Sequence, residues 1–183
     1  KLNLIPWDYN LALGGMGGSS GATSVVNDAI DNAFSGTNFF DTLMEDETYH
    51  SQYYTYLQQL VSEYIDGGGF DAFYERVRSQ IDELVKTDPT AFYSYDEYLT
   101  AADTLYQVVK LRGQSIQGQL DGSIPSTEEA QRSSDALVDA STLDILHTRH
   151  RADDIRCRTG SCHPHQPAME TSARNASGSR TAK

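Results

Sequence analysis

The chain has 183 residues, 38% of them hydrophobic and 22% charged, enough for one ordinary domain or a large piece of a bigger one. Its net charge of −12 is uneven: up to Asp144 seven basic residues face 23 acidic ones, and beyond it seven basic residues face three acidic ones. The acidic body would repel a phosphate backbone, which argues against nucleic-acid binding, and no apolar run approaches the ~18–20 residues that span a bilayer.

Residues 2–7 read as a short strand, with Leu2 and Leu4 alternating against Asn3 and with Pro6 closing it. The opening residues lack the basic head, long apolar stretch and cleavage site of a signal peptide. A chain that opens inside a strand is expected to have lost what preceded it. Residues 14–21 are nearly all Gly and Ser and predict a flexible loop. Residues 22–40 are mixed; a short helix over 25–34 is compatible with them.

Three amphipathic helices follow. The first is expected over 46–65, where Tyr49, Tyr53, Tyr56, Leu57, Leu60 and Tyr64 recur at helical steps and Gly67-Gly68-Gly69 provides the stop. Such an aromatic row reads as core, because each ring buries a large area; Tyr54 lies off that face. The second is expected over 70–86, with Phe70, Phe73, Val77, Ile81, Leu84 and Val85 on one side and Asp88-Pro89 ending it. The third opens on a capping box, Ser94-Tyr95-Asp96-Glu97. Its stripe of Tyr98, Ala102, Leu105, Val109 and Ile116 runs to Leu120, before Asp121-Gly122 stops it. Short links between long helices favour antiparallel neighbours. On this helix Arg112 is expected to pair with a buried carboxylate that the sequence does not identify.

After about Ile145 the composition changes. Four of the five histidines, both cysteines (Cys157 and Cys162) and several arginines appear, and hydrophobic periodicity vanishes. The tail, residues 145–183, is expected to be disordered or out of the native reading frame. The body contains no thiol, so its fold cannot depend on disulfides. The spacing of Cys157, Cys162, His163 and His165 does not match a tetrahedral zinc site. The glycine-rich stretch from Gly14 lacks the Gly-Lys-Ser/Thr ending of a phosphate loop and reads as a surface loop.

The residues that carry chemistry are near the start. If Asp8 to Asn10 continue the strand, the side chains of Asp8 and Asn10 point to one face. A carboxylate and an amide oxygen are hard donors of the kind that hold Mg²⁺. The same pair could instead form a turn or an N-cap.

Trp7-Asp8-Tyr9-Asn10-Leu11-Ala12-Leu13-Gly14-Gly15 resembles a segment of the CotH (spore-coat protein H) kinase-like family. The Tyr-rich helix around 49–64, the link 88–93 and Arg112-Gly113-Gln114-Ser115-Ile116-Gln117-Gly118-Gln119-Leu120 with Ile124-Pro125-Ser126-Thr127 are similar to the family too, in consistent order over residues 1–144. The resemblance implies an α+β fold, mostly α here: the C-terminal lobe of an atypical kinase-like domain, with a short strand, a Gly-rich loop, three helices and a disordered tail. It implies an Mg-ATP-dependent protein kinase acting on Ser or Thr of secreted, coat or cell-surface proteins, placed outside the cell or on the spore surface. Asp8 would be a metal ligand, Asn10 a second ligand or hydrogen-bond partner, and Trp7 would border the nucleotide or anchor the strand. Leu13 stands where the family usually has Phe, a change expected to alter packing more than chemistry. The nucleotide-clamping lobe and catalytic base are not recognisable in these residues, so the chain alone is expected to be inactive. The alternative is a non-catalytic extracellular helical interaction module on the same scaffold.

Overall fold

A computed structural model describes residues 12–13, 21–31 and 38–145. The strand expected over 2–7 lies outside those residues, and within them the regular structure is helical. In chain order it comprises α1 (Ala22–Val26), α2 (Asn38–Met44), α3 (Glu47–Gln59) continuing into a π-helical turn (Leu60–Ile65), α4 (Gly69–Thr87), α5 (Tyr95–Asp121) and α6 (Glu128–Gln131).

Local chemistry explains where the long helices begin and end. Asp46 caps α3 by accepting from the backbone N–H of Thr48 (2.9 Å) and Tyr49 (3.3 Å). At α5 the capping box forms in both directions: Glu97 N–H donates to Ser94 Oγ (3.2 Å), and Ser94 N–H donates to Glu97 Oε2 (2.8 Å). Gly122, at φ 80°, ends α5 in the left-handed conformation that a side chain would disfavour. With 27 residues, α5 is about 40 Å long and packs against α1, α3, the π-turn and α4.

Two small clusters make the core. Ala22, Val26, Val108, Ala140 and Ile145 form one; Ile30, Val61 and Ile116 form the other, flanked by Tyr54, Leu57 and Leu120. Each fully buried Val or Ile contributes about 1.5–3 kcal/mol. Glycines let α5 approach its neighbours closely. A Cβ on Gly113 would lie 2.9 Å from Ile65 Cγ2, and one on Gly118 would lie 2.7 Å from Ile124 Cδ1.

The structure corrects three details of the sequence reading. The helix compatible with residues 25–34 is instead α1, which stops at Val26, where the N–H (3.1 Å) and the side chain (2.8 Å) of Asn27 both donate to the Thr23 carbonyl. The aromatic row on α3 is not core. Tyr49 and Tyr56 are 50% and 66% exposed, while Leu57, Val61 and Ile65 face inward and Tyr54, expected off the face, is half-buried. The inward residues Tyr54, Leu57, Val61 and Ile65 keep the ordinary three- and four-residue steps, and that phase leaves Leu60 and Tyr64 facing outward. On α4 only Phe70 is buried, and Phe73 and Leu84 are exposed.

Candidate functional site

Trp7, Asp8 and Asn10 lie outside the described residues, as does most of the glycine-rich loop. Just beyond them Ala12 and Leu13 form a turn, with Leu13 at φ 54° and exposed. A left-handed leucine costs roughly 1–2 kcal/mol.

The described residues converge on the segment 27–31, which α5, α3 and the chain after α6 hold from three sides. From α5, Arg112 Nη1 donates to the carbonyls of Val26 (3.1 Å) and Asp28. Gln119 Nε2 also donates to the Asp28 carbonyl (3.2 Å), and its Oε1 accepts the Ile30 N–H (3.0 Å). Ser115 Oγ donates to Asn27 Oδ1 (3.1 Å) and accepts from Gln119 Nε2 (3.1 Å). Asn27 Nδ2 donates to the Val138 carbonyl (2.8 Å), and Asn27 Oδ1 accepts the Val138 N–H (3.0 Å). Among the described residues every buried side-chain nitrogen or oxygen has a partner. The partner expected for Arg112 is thus corrected: it bonds two backbone carbonyls rather than a carboxylate. Burial pulls its guanidinium pKa down, and the Asp28 charge partly offsets this.

Asp31 closes the segment. Oδ1 accepts from Tyr54 Oη (2.7 Å) and His50 Nε2 (3.2 Å), and Oδ2 accepts from Ser126 Oγ. Burial pushes the carboxyl up, but the bonds from Ser126, Tyr54 and His50 outweigh it and hold Asp31 below the usual carboxylate value. Burial and the bond to Asp31 push the Tyr54 phenol up to about 12. Beside it, Tyr53 Oη donates to the Ile30 carbonyl (3.0 Å).

A second polar group links α4 to α5. Arg78 binds Asp82 through Nε (2.7 Å) and Nη2 (3.1 Å), while Tyr98 Oη donates to the same carboxylate (2.6 Å). Arg78 and Tyr98 depress the Asp82 pKa, and burial with the Asp82 bond pushes Tyr98 up to about 12. Nearer the end of α5, Lys110 Nζ and Tyr106 Oη donate to Asp71 Oδ1 (3.2 and 2.9 Å). These carboxylates are neutralised by structural partners. Among the described residues no three His, Cys, Asp or Glu side chains are grouped to hold a metal.

A family model described as CotH kinase protein matches residues 1–116, which include Trp7, Asp8 and Asn10 and most of α5. The chain belongs to the CotH family. No curated protein and no solved structure matches it. The CotH match includes Asn27, Asp31, His50, Tyr54, Arg112 and Ser115 of the cluster around residues 27–31, and only Gln119, Ser126 and Val138 lie beyond it. Sequence reasoning missed this cluster, although a signal was present. Arg112, Ser115 and Gln119 recur at three- and four-residue steps and form a polar stripe on a helix whose apolar stripe was read alone.

Proposed function

We propose that this chain belongs to an Mg-ATP-dependent protein kinase of CotH type, transferring phosphate to Ser or Thr of secreted, coat or cell-surface proteins. One observation carries the reading: the family match includes the Trp7-Asp8-Tyr9-Asn10 segment. The donor set there suits the metal, since Asp8 offers a carboxylate and Asn10 an amide oxygen, both hard ligands for Mg²⁺. When bound, Mg²⁺ neutralises phosphate charge during transfer. Asp8 and Asn10 would hold it, and Trp7 would border the nucleotide. The acidic body suits a protein substrate rather than a nucleic acid, and no helix among the described residues is long and apolar enough to cross a membrane.

The test uses the full gene product, with whatever flanks these 183 residues. Mg-ATP should raise its melting temperature, since a ligand bound by the native state stabilises it, and phosphate should appear on a Ser- or Thr-containing acceptor. Asp8→Ala should abolish transfer, and undiminished transfer would remove Asp8 from the mechanism. The exposed apolar residues Phe73 and Leu84 of α4 favour a second reading, a non-catalytic interaction module on the same scaffold. That reading predicts no response to Mg-ATP.

A further inference from the structure

The basic side chains of α4 and α5 are paired in one way or another. Arg78 has Asp82 and Lys110 has Asp71, while Arg76 and Lys86 lie over the rings of Phe73 and Tyr95. Arg112 differs. Both bonds it makes leave from Nη1 and end on backbone carbonyls, and among the described residues no carboxylate comes within ion-pair distance of it.

Arginine binds carboxylates and phosphates through paired, parallel N–H groups, and the Nε/Nη2 edge is one such pair. On Arg112 that edge makes no hydrogen bond within the described residues. Arg112 is half-buried, and no described side-chain nitrogen without a partner is fully buried. The Nη1 bonds to Val26 and Asp28 fix the plane of the guanidinium. The open edge is therefore pre-oriented, and little side-chain entropy remains to be lost when a ligand arrives.

We propose that Arg112 is an oxyanion-binding residue that takes a phosphate group, bidentate, on its Nε and Nη2. Asp28 is the competing negative charge nearby, attracting the guanidinium without a hydrogen bond to it. The inference goes beyond the kinase reading and does not depend on it. The shared chemistry is a phosphate oxyanion, whether free, on a nucleotide or on a phosphorylated protein.

Arginine Nε–H resonances of the ¹⁵N-labelled full-length protein test this directly, with the Arg112 signal assigned by its loss in Arg112→Lys. Inorganic phosphate, added at constant ionic strength, should move that signal saturably. The Nε–H of Arg78, already bonded to Asp82, should stay in place. Asp28→Asn should tighten phosphate binding, read from the same signal, and calorimetric titration should find it about tenfold weaker in Arg112→Lys, because an ammonium cannot bind in a fork. Parallel titrations with ATP and with a phosphoserine peptide identify the source, the tighter ligand marking it. An Arg112 signal that stays still, or that chloride moves equally, overturns the proposal. A still Arg112 signal in a protein that transfers phosphate therefore sinks this inference alone. A moving signal in a protein that ignores Mg-ATP sinks only the kinase reading.

Discussion

Asn27 uses its entire hydrogen-bonding capacity in one place. Nδ2 donates to the carbonyls of Thr23 and Val138, and Oδ1 accepts from the Val138 N–H and the Ser115 hydroxyl. The residue is 2% exposed, so no water replaces a partner that is lost. Truncation would remove both Asn27 bonds of Val138 and leave the Ser115 O–H without its acceptor, each lost bond costing about 1–3 kcal/mol. Asn27→Ala is therefore expected to lower unfolding stability by about 3 kcal/mol in urea titrations. Tyr56→Ala, on the exposed face of α3, should change it by less than about 0.5 kcal/mol. Similar losses for the two variants would mean that the Asn27 bonds contribute nothing particular. A single Asn in a mixed stretch gives no sign of this role in the sequence, because its partners lie 88 and 111 residues away.

At the scale of elements, the helix limits were legible because they are local. A Ser-x-x-Glu box, an Asp before a helix and a Gly after one act through bonds to the nearest turn. The inward faces were less legible, because they depend on partners and on the helix phase. Val61 and Ile65 face inward and Leu60 and Tyr64 outward, yet both pairs fit a helical period, so periodicity alone cannot choose between them. Close helix approach is the other non-local device, and Gly118 tests it. An alanine in mid-helix ordinarily gains about 1 kcal/mol over glycine. Here the added Cβ would meet Ile124 Cδ1 and Cγ1 at 2.7 and 2.8 Å, and Ile124 is itself buried. Overpacking of that kind costs about 1–3 kcal/mol and outweighs the helical gain. Gly118→Ala should thus destabilise the wild-type chain. In an Ile124→Ala background, where the two closest atoms are gone and Ser123 Oγ remains at 3.1 Å, the penalty should fall to near zero. A penalty of equal size in both backgrounds would place the strain elsewhere.

At the scale of the whole molecule, the expected metal ligands Asp8 and Asn10 were legible as a family motif, but the cluster that holds residues 27–31 was not, because it joins distant parts of the chain. Asp31 shows this most clearly: it ties α3, through His50 and Tyr54, to the loop after α5, through Ser126, and its own N–H donates to the Ser126 carbonyl (3.0 Å). That junction gives stability a definite pH dependence. The folded pKa of Asp31 lies below its ordinary value, so the native state holds the proton less tightly than the unfolded chain does. The contribution is complete above the unfolded value of about 3.9 and is lost as pH falls through the folded value. Asp71 and Asp82, depressed by Tyr106 with Lys110 and by Arg78 with Tyr98, act with the same sign from the surface. Tyr54 and Tyr98 work at the other end. Their folded values are pushed up to about 12, so their contribution is full below an unfolded value of about 10 and is lost as pH rises through the folded one. Denaturant melts of wild type and Asp31→Asn from about pH 2 to about pH 7 isolate the junction. The wild-type advantage should be greatest near neutrality and shrink towards zero under acid, as the carboxylate takes up the proton that Asn mimics. An advantage that stayed constant across that range would assign Asp31 a role in packing and none in charge.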